Sequence, residues 1–522
     1  MSGVLTKGEM MSWTRRLVWQ RIAAVAVISV LAASCGSSDS STDTDAGSDT
    51  TVEDSAAEET EASEPDEGED GDGEEAGEGD GEDEAMADGE MGINADNVLI
   101  GPSGFQIDLN ECPSDWSDTE GLTDDSIKLG TSFVLSGSAA GFGPYIFGTE
   151  AYLNHINDSE GGVGGRTISL EIKDDAYETA RAVTNVQELI QKDKVFALTA
   201  PVGTPGNLAN YDYINESCVP HLPVVSGHPA WGDPVNHPWS VSPAILAYNT
   251  EATLWGQYLL EVWDGEFPIT VAALVGNNDF GLAYKNTFAD FMDANPGKFE
   301  LVAEQLHQMD APNITNELTT LAASEADVAI IMSGAVYCTQ MFDGVAQAEW
   351  DPTIKIAPGV CSSIAQFFEP AGVNGNGWLV VTAEKDINNP DLVGSDEGVD
   401  LLRSILEEQG HDPSDSQAGR GFGAGLVVAE SLKAADAMPG GLSRTNYMLA
   451  ARSLDIESHP LLLGDAGMHL DGNNDAFLIE TAQVVQYEVS EGETSGAMVP
   501  VGELISVEGE TPLCVFDGSK CG

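Results

Sequence analysis

Basic residues are scarce in this 522-residue chain, which has 20 Lys and Arg against 87 Asp and Glu and a formal net charge of −67. Proteins bind the phosphates of nucleic acids through Lys and Arg, and a strongly acidic surface repels them. The composition therefore excludes nucleic acid as a partner.

The segment from Asp39 to Glu90 has no Lys or Arg and almost no large apolar residues, while it contains 24 Asp and Glu. Such a segment cannot bury enough apolar surface to offset the entropy cost of ordering, and its like charges repel one another. We expect a disordered acidic linker over residues 35–93 and an N-terminal extension of the folded part over 94–125.

Long apolar runs are also lacking: no apolar stretch after the N-terminus is long enough to cross a bilayer. The run Ile22–Leu31 is about half the length that a spanning helix needs and follows three arginines, so it predicts a signal peptide over residues 1–34. The run is followed by three small residues, Ala32 to Ser34, and by Cys35. This segment resembles a bacterial lipobox, although the position three residues before the cysteine, usually Leu, is Ala32. A lipidated Cys35 would anchor the mature protein to the cell membrane from outside the cytoplasm. An ordinary secretory signal is the alternative.

Cysteines are few, and six of the seven lie beyond Cys35: Cys112, Cys218, Cys338, Cys361, Cys514 and Cys521. An even number of cysteines in an exported protein predicts disulfides, and six cysteines allow 15 pairings. Cys514 and Cys521 are close enough in sequence to close a small loop, for which a bound metal is the weaker alternative.

Motifs for catalysis, metals and cofactors are missing as well. No nucleophile elbow or Ser/His/Asp pattern occurs, and His221, His228 and His237 lack the spacing of zinc ligands. The glycines at 161–165 follow a predicted helix, the reverse of the order in a phosphate-binding loop. The segment Asp471–Asp475 is similar to a calcium loop but lacks its turn glycine and closing Glu, so a hairpin turn is expected. The sequence predicts no enzymatic activity, no metal and no cofactor.

From residue 127 onward, short apolar runs alternate with amphipathic stretches. The runs predict strands at 127–134, 167–172, 195–199, 221–226, 269–276, 301–306, 328–333, 354–357, 378–382, 476–488 and 498–506. The amphipathic stretches predict helices at 143–157, 178–192, 205–215, 248–263, 282–295, 314–323, 336–349, 396–409, 418–437 and 443–453. This alternation is typical of α/β proteins, in which helices cover parallel sheets on both faces and ligands bind beyond the carboxyl ends of the strands.

Four short motifs occur in order along this part of the chain. They are a turn at Leu135–Gly143, the stretch Leu153–Arg166 with its glycine loop, Asp174–Ala176, and Asn278–Gly281. Together they resemble the solute-binding proteins of ABC transporters that bind leucine, isoleucine and valine, whose relatives bind amides and urea. The resemblance covers residues 126 to about 490. It implies the type I periplasmic binding fold, with two doubly wound parallel-sheet lobes joined by crossing hinge strands.

The expected boundaries follow from this fold. Lobe 1 is expected over residues 126–245 and 383–470, and lobe 2 over 246–382 and 471–506, with a C-terminal tail at 507–522. The resemblance also implies a set of ligand-binding positions in the cleft: Phe142, Gly203, Thr204, His228, Ala230, Phe280 and Val336.

The loop at Gly203 and Thr204 is suited to a ligand oxygen, because free N–H groups at a helix N-terminus and a hydroxyl favour a carboxylate or carbonyl. Alternatively, Thr204 only caps its helix. His228 would face the cleft or be a hydrogen-bonded loop residue, and Phe142 and Phe280 would line the pocket or belong to the core.

The loop Pro358–Cys361 departs from the family pattern, because amino-acid binders place there a carboxylate that pairs with the ligand ammonium. A buried ammonium without a counter-charge is costly, so an α-amino acid ligand is in doubt, and Asp279 is the candidate substitute. The resemblance also puts Cys338 and Cys361 on neighbouring strands of lobe 2. A disulfide there would stiffen one wall of the cleft, and two buried free thiols are the alternative.

The expected function is that of a lipid-anchored receptor that binds a small polar molecule, of the branched-chain amino acid, amide or urea type, and delivers it to the permease of an ABC importer. One alternative is a sensor of the same fold that signals to a partner. The other is an exported hydrolase, which requires a nucleophile–base pair.

Overall fold

The computed structural model describes residues 91–241, 244–518 and 521, all within one unit of the chain, Gly81–Gly522. The predicted signal peptide, Cys35 and all but the last three residues of the predicted linker lie outside the described residues. Gly92–Ile93, at the end of the predicted linker, forms a strand.

The strands are short apolar or alternating segments. In chain order they are β1 (Gly92–Ile93), β2 (Val98–Ile100), β3 (Gln106–Asp108), β4 (Ser126–Phe133), β5 (Thr167–Asp174), β6 (Ala197–Leu198), β7 (Ile269–Gly276), β8 (Phe299–His307), β9 (Val328–Met332), β10 (Ile354–Ala357), β11 (Trp378–Thr382), β12 (Asp455–Ile456), β13 (Met468–His469), β14 (Thr481–Glu488), β15 (Ala497–Pro500) and β16 (Ile505–Ser506).

The helices connect these strands. In chain order they are α1 (Pro144–Glu160), α2 (Thr179–Glu188), α3 (Thr204–Leu208), α4 (Tyr211–Glu216), α5 (Tyr248–Val262), α6 (Asp279–Ala294), α7 (Thr315–Ala322), α8 (Val336–Gln347), α9 (Glu369–Ala371), α10 (Glu397–Glu408), α11 (Ser416–Ala437) and α12 (Arg444–Arg452).

Two sheets organise the fold and confirm the predicted α/β class. In the first lobe the order is β5-β4-β6, and the three strands are parallel. In the second lobe the order is β15-β14-β11-β10-β9-β7-β8, and β7 to β11 are parallel. Strands β9 and β11 are buried along their whole length, as expected for a parallel sheet that helices cover on both faces.

The end of the chain adds antiparallel strands to the second sheet. β14 pairs with β11, with Val485 opposite Val380, and β15 and β16 both pair with β14. The hairpin-like arrangement predicted for residues 476–506 is confirmed, but β14 begins at Thr481 and the last predicted strand is divided into two.

Two predicted elements of the first lobe are wrong in detail. Residues 221–226 form isolated parallel bridges at His221 and Val225 instead of a regular strand, because Pro220 and Pro223 have no N–H to donate to a ladder. The helix predicted at 205–215 is divided into α3 and α4, in a stretch where Asn and Gly residues have weak helix propensity.

The chain crosses between the lobes more than once. Helices α10, α11 and α12 pack in the first lobe, where α11 lies along α1, although β11 before them and β14 after them belong to the second sheet. Glycines allow the close approach of the two helices, since a Cβ at Gly148 or Gly421 would overlap the backbone of the other helix. Thr149 Oγ1 donates to the Gly421 carbonyl oxygen at 2.8 Å across this contact.

Six cysteines form three disulfides: Cys112–Cys218, Cys338–Cys361 and Cys514–Cys521. The disulfide prediction is confirmed, including the small C-terminal loop and the link in the second lobe. The Cys338–Cys361 disulfide joins α8 to the turn that follows β10.

The C-terminal tail passes from one lobe to the other. After β16, the Gly509 and Thr511 amides donate to the Glu480 carboxylate at 2.6 and 3.1 Å. The Cys514 amide then donates to the Gly232 carbonyl oxygen at 2.9 Å, and the Phe516 amide to Asp233 Oδ2 at 3.1 Å. The tail thus starts on the second sheet and ends on a loop of the first lobe.

Within the part of the chain that the structure describes, every helix is too short or too polar to span a membrane.

Candidate ligand-binding site

The carboxyl ends of both sheets face a cavity with about 640 Å³ of space between atoms, part of it open to solvent. The loops after β4, β5 and β6 and the segment around Val225 form one side. The loops after β7, β8, β9 and β10 form the other side. Ile245 and Tyr248 line the cavity where the chain passes from the first lobe to the second. This is the position at which open α/β sheets bind ligands.

Aromatic side chains from both lobes form much of the wall. Phe142 lies on the loop after β4, and its ring centroid is 6.4 Å from that of Phe367 in the second lobe. Phe280 lies at the start of α6, 5.2 Å from the ring centroid of Tyr248. Both predicted aromatic residues therefore line the cavity.

Gly203 and Thr204 also line the cavity, but not in the predicted way. Gly203 has a φ of +104° and is the N-cap residue of α3, and its amide already donates to the Val225 carbonyl oxygen at 3.2 Å. Thr204 is the first residue inside the helix, and its buried hydroxyl lies 2.8 Å from Ser226 Oγ. The interpretation of Thr204 as a helix cap is therefore wrong, and its hydroxyl, the expected ligand group, already has a partner.

The remaining predicted residues do not line the cavity. His228 is 7% exposed, with its ring 5.6 Å from that of Phe516, and its Nδ1 accepts from the Ala230 amide. Ala230 is fully buried and accepts from the Tyr211 hydroxyl. The C-terminal tail thus covers this loop. Burial lowers the pKa of His228 to about 4, so its imidazole is neutral at pH 7. Val336 is 47% exposed at the start of α8.

Five residues with polar side chains line the cavity but were missed in the sequence: Tyr145, Tyr177, Tyr248, Gln417 and Arg420. Tyr145 comes from α1, and Gln417 and Arg420 come from α11, so the close packing of these helices brings them together. Arg420 is the one charged residue among the described residues that line the cavity. The available signal was an arginine between Gly419 and Gly421, in a stretch of α11 that otherwise consists of small and apolar residues up to Ala429.

Arg420 is held by groups from both lobes. Its Nε lies 2.9 Å from Glu384 Oε2. Its Nη2 donates to the Gly359 carbonyl oxygen at 2.8 Å and to Ser362 Oγ. No described residue provides a hydrogen-bond partner for Nη1, and the residue lies at the cavity wall.

Comparison with known proteins agrees with this geometry. The family model of periplasmic binding proteins matches residues 126–494, which is well over half of the chain. The chain belongs to the periplasmic binding protein family. The family resemblance inferred from the four sequence motifs is thereby confirmed.

The chain aligns with solved structures of similar fold over nearly their whole length. A branched-chain amino acid ABC transporter protein from Thermus thermophilus with bound valine has a TM-score of 0.64 at 16% identity, over 74% of this chain and 97% of that one. A fatty acid ABC transporter substrate-binding protein from Thermomonospora curvata has a TM-score of 0.61 at 19% identity, over 81% and 99%. An R. palustris solute-binding protein in complex with benzoate has a TM-score of 0.60 at 19% identity, over 75% and 100%. Among curated proteins, no sequence matches the chain.

A buried acid from another part of the chain contacts the loop Pro358–Cys361, but it does not line the cavity. Glu251 of α5 accepts from the Gly359 amide and from the Tyr284 hydroxyl, both at 2.6 Å. Burial raises the pKa of Glu251 to about 8, so the carboxyl group is mostly protonated at pH 7. Asp279, the predicted substitute, lines a separate surface groove with Asp212 and not this cavity.

Among the residues that the structure describes, one group of carboxylates has the geometry to hold a cation. One oxygen each of Asp475, Glu480 and Glu508 lies within 4.8 Å of the others. Glu480 already accepts from two backbone amides of the C-terminal tail, and none of the three residues lines the cavity. The group therefore has no part in the candidate ligand site.

A buried serine–histidine pair bears on the hydrolase alternative. Ser333 Oγ lies 2.8 Å from His307 Nε2, and His307 Nδ1 lies 3.0 Å from the Gln308 carbonyl oxygen. The distance suits a nucleophile and its base. Ser333 has no exposed surface and His307 almost none, so the hydroxyl does not reach a substrate in this conformation.

Proposed function

We propose that the chain is an extracytoplasmic solute-binding lipoprotein of an ABC importer, which holds a small molecule in the cavity and presents it to membrane permease subunits. The observation that carries this proposal is the cavity itself, which both lobes enclose at the carboxyl ends of their sheets. The similar structures described above bear valine or benzoate, or are named for fatty acids. Their ligands or named substrates are small carboxylic acids.

Closure of the lobes is the step that the proposed function requires. A ligand favours the closed form only to the extent that it contacts both lobes. Two contacts already join the lobes at the rim: the Phe142–Phe367 ring pair, and a 3.0 Å hydrogen bond from Ser138 Oγ to the Met309 carbonyl oxygen. A bound molecule would add its own contacts to these.

Filling the cavity tests this function. A Cβ at Gly334 would meet Val360 and Phe280 at ordinary contact distances of 3.4 and 3.5 Å, so Gly334→Leu extends into the cavity without a backbone clash. A thermal-shift screen over amino acids, amides, urea, short peptides and organic acids should give a ligand that stabilises the wild type. We expect Gly334→Leu to weaken its binding at least ~10-fold, since the added side chain displaces the ligand.

The matched control is Val336→Leu, which adds one methylene group at an exposed position outside the cavity and should leave affinity unchanged. Equal ligand-induced shifts in Gly334→Leu and the wild type would show that the ligand binds elsewhere. A screen in which no compound stabilises the wild type would argue against the solute-binding function.

A further inference from the structure

Two residues that line the cavity have buried polar atoms without a partner. Tyr145 and Gln417 are each 3% exposed. The hydroxyl oxygen of Tyr145 and Nε2 of Gln417 are buried without a hydrogen bond. Buried polar groups in proteins nearly always have a partner, and leaving one unpaired costs free energy. Both residues line the same cavity as Arg420, whose Nη1 also has no partner among the described residues.

The free groups are all hydrogen-bond donors. A guanidinium and an amide nitrogen donate only, and a phenol hydroxyl can donate its proton. One of the three is positively charged. Such a set is complementary to an acceptor with two oxygens and a negative charge, which is a carboxylate.

The surroundings disfavour an ammonium group on the same ligand. No described residue that lines the cavity has a carboxylate. The neighbouring acid Glu384 is paired with Arg420, and Glu251 is hydrogen-bonded to Tyr284 and Gly359. An ammonium ion in the cavity would lack a counter-charge, which is costly.

Most of the remaining wall is apolar, and the hydroxyl groups of Tyr177, Thr204 and Tyr248 in it already have partners within the protein. Phe142, Val225, Ile245, Phe280 and Met309 line it from both lobes. A sugar or a zwitterion would place polar groups against these hydrocarbon side chains without partners. The wall is complementary to an alkyl or aryl group.

We propose that the cavity binds an apolar monocarboxylate without an α-ammonium group, and that Arg420, Gln417 and Tyr145 hold its carboxylate. This inference rests on the proposed solute-binding function and narrows its ligand class. It replaces the polar amides and amino acids expected from the sequence. Arg420 also donates to Gly359 and Ser362 of the second lobe, so a carboxylate on Nη1 binds at a point where the lobes already meet.

The probes are chosen as matched sets. Isovalerate, valine and isovaleramide have the same five-carbon skeleton; valine adds an α-ammonium group and isovaleramide replaces the carboxylate by an amide. Benzoate and octanoate represent aryl and longer alkyl acids. Titration calorimetry on the full chain should show binding of at least one acid. Valine should bind at least about 10-fold more weakly than isovalerate because its ammonium is unpaired, and the amide should be weaker because it lacks the charge.

The variant that tests the carboxylate site is Tyr145→Phe. It removes a hydroxyl that has no partner in the protein, so the melting temperature should stay the same or rise, whereas affinity for the acid should fall about 10- to 150-fold. Tyr447→Phe is the matched control, since the Tyr447 hydroxyl is also buried and unpartnered but the residue does not line the cavity. Truncation of Arg420 is less informative, because it would leave Glu384 without its partner.

The outcomes separate the two proposals. The ligand class is overturned if valine or isovaleramide binds as tightly as isovalerate, if none of the acids binds, or if Tyr145→Phe binds the acid as the wild type does. If the acids fail and an amino acid, amide, urea or peptide binds, the solute-binding function still stands. If no compound in either screen binds, both proposals fail.

Discussion

Glu251 holds a buried carboxyl group against the loop where the family pattern led us to expect an acid. Its two oxygens accept from the Gly359 amide and the Tyr284 hydroxyl, and its pKa is raised from the usual range to about 8, chiefly by burial. The folded protein therefore holds a proton on Glu251 that the unfolded chain releases near pH 4.5.

This difference predicts a pH-dependent stability. The contribution of Glu251 is full below pH 4.5 and is lost as the pH rises toward 8, since the folded state binds the proton more tightly. Glu251→Gln does not titrate and keeps the shape of the protonated side chain. Between pH 4.5 and 8, the free energy of unfolding of the wild type should therefore fall by a few kcal/mol relative to that of Glu251→Gln. One pKa unit corresponds to about 1.4 kcal/mol, and denaturant unfolding measures the difference.

Glu261→Gln is the control, because Glu261 is exposed near the end of the same helix. Its stability should follow that of the wild type at every pH. Parallel pH profiles for the wild type and Glu251→Gln would contradict a raised pKa at Glu251.

Single residues were predictable from the sequence where a local motif marked them. Phe142 and Phe280 line the cavity as predicted, since each lies in a recognisable turn after a strand. Tyr145 and Arg420 were not predictable, because they are far apart in the chain and meet only through the close packing of α1 on α11. His228 was misplaced because the C-terminal tail that covers it has no local pattern linking it to that loop.

At the scale of elements, hydrophobic periodicity identified β7, β10 and β11 with their observed bounds. These are buried parallel strands with continuous apolar runs, for which sequence signals are strong. The errors in the first lobe fall on the segments after β6, where prolines and asparagines interrupt regular hydrogen bonding. Tertiary contacts decide the backbone there.

The Cys338–Cys361 disulfide connects α8 to the loop that carries Gly359 and Val360 of the cavity wall. Replacing both cysteines by Ala should lower the free energy of unfolding by about 3 kcal/mol, the value expected for a loop of this length. We expect ligand affinity to fall several-fold as well, because the wall loses its constraint. Calorimetric unfolding and titration measure the two effects.

The Cys514–Cys521 disulfide provides the comparison, since it closes a shorter loop and neither residue lines the cavity. Replacing that pair by Ala should cost less stability and leave affinity unchanged. Equal affinities for both double variants would show that the first disulfide does not shape the binding site.

At the scale of the whole molecule, the proposed lipid anchor at Cys35 lies outside the described residues. The evidence for it is the lipobox-like segment of the sequence. Cell fractionation should find the wild type in the membrane fraction, because acyl chains on Cys35 would hold it there. Cys35→Ser should appear in the soluble exported fraction or as an unprocessed precursor. A wild type found wholly in the soluble exported fraction would contradict lipidation.

The C-terminal tail has a mechanical consequence for the whole molecule. It is fixed to the second lobe through β16 and Glu480, and to the first lobe through Gly232 and Asp233. A movement of the lobes that carries Glu480 away from Gly232 and Asp233 requires this strap to straighten or the hydrogen bonds at one of its ends to break, so the tail links the motions of the two lobes.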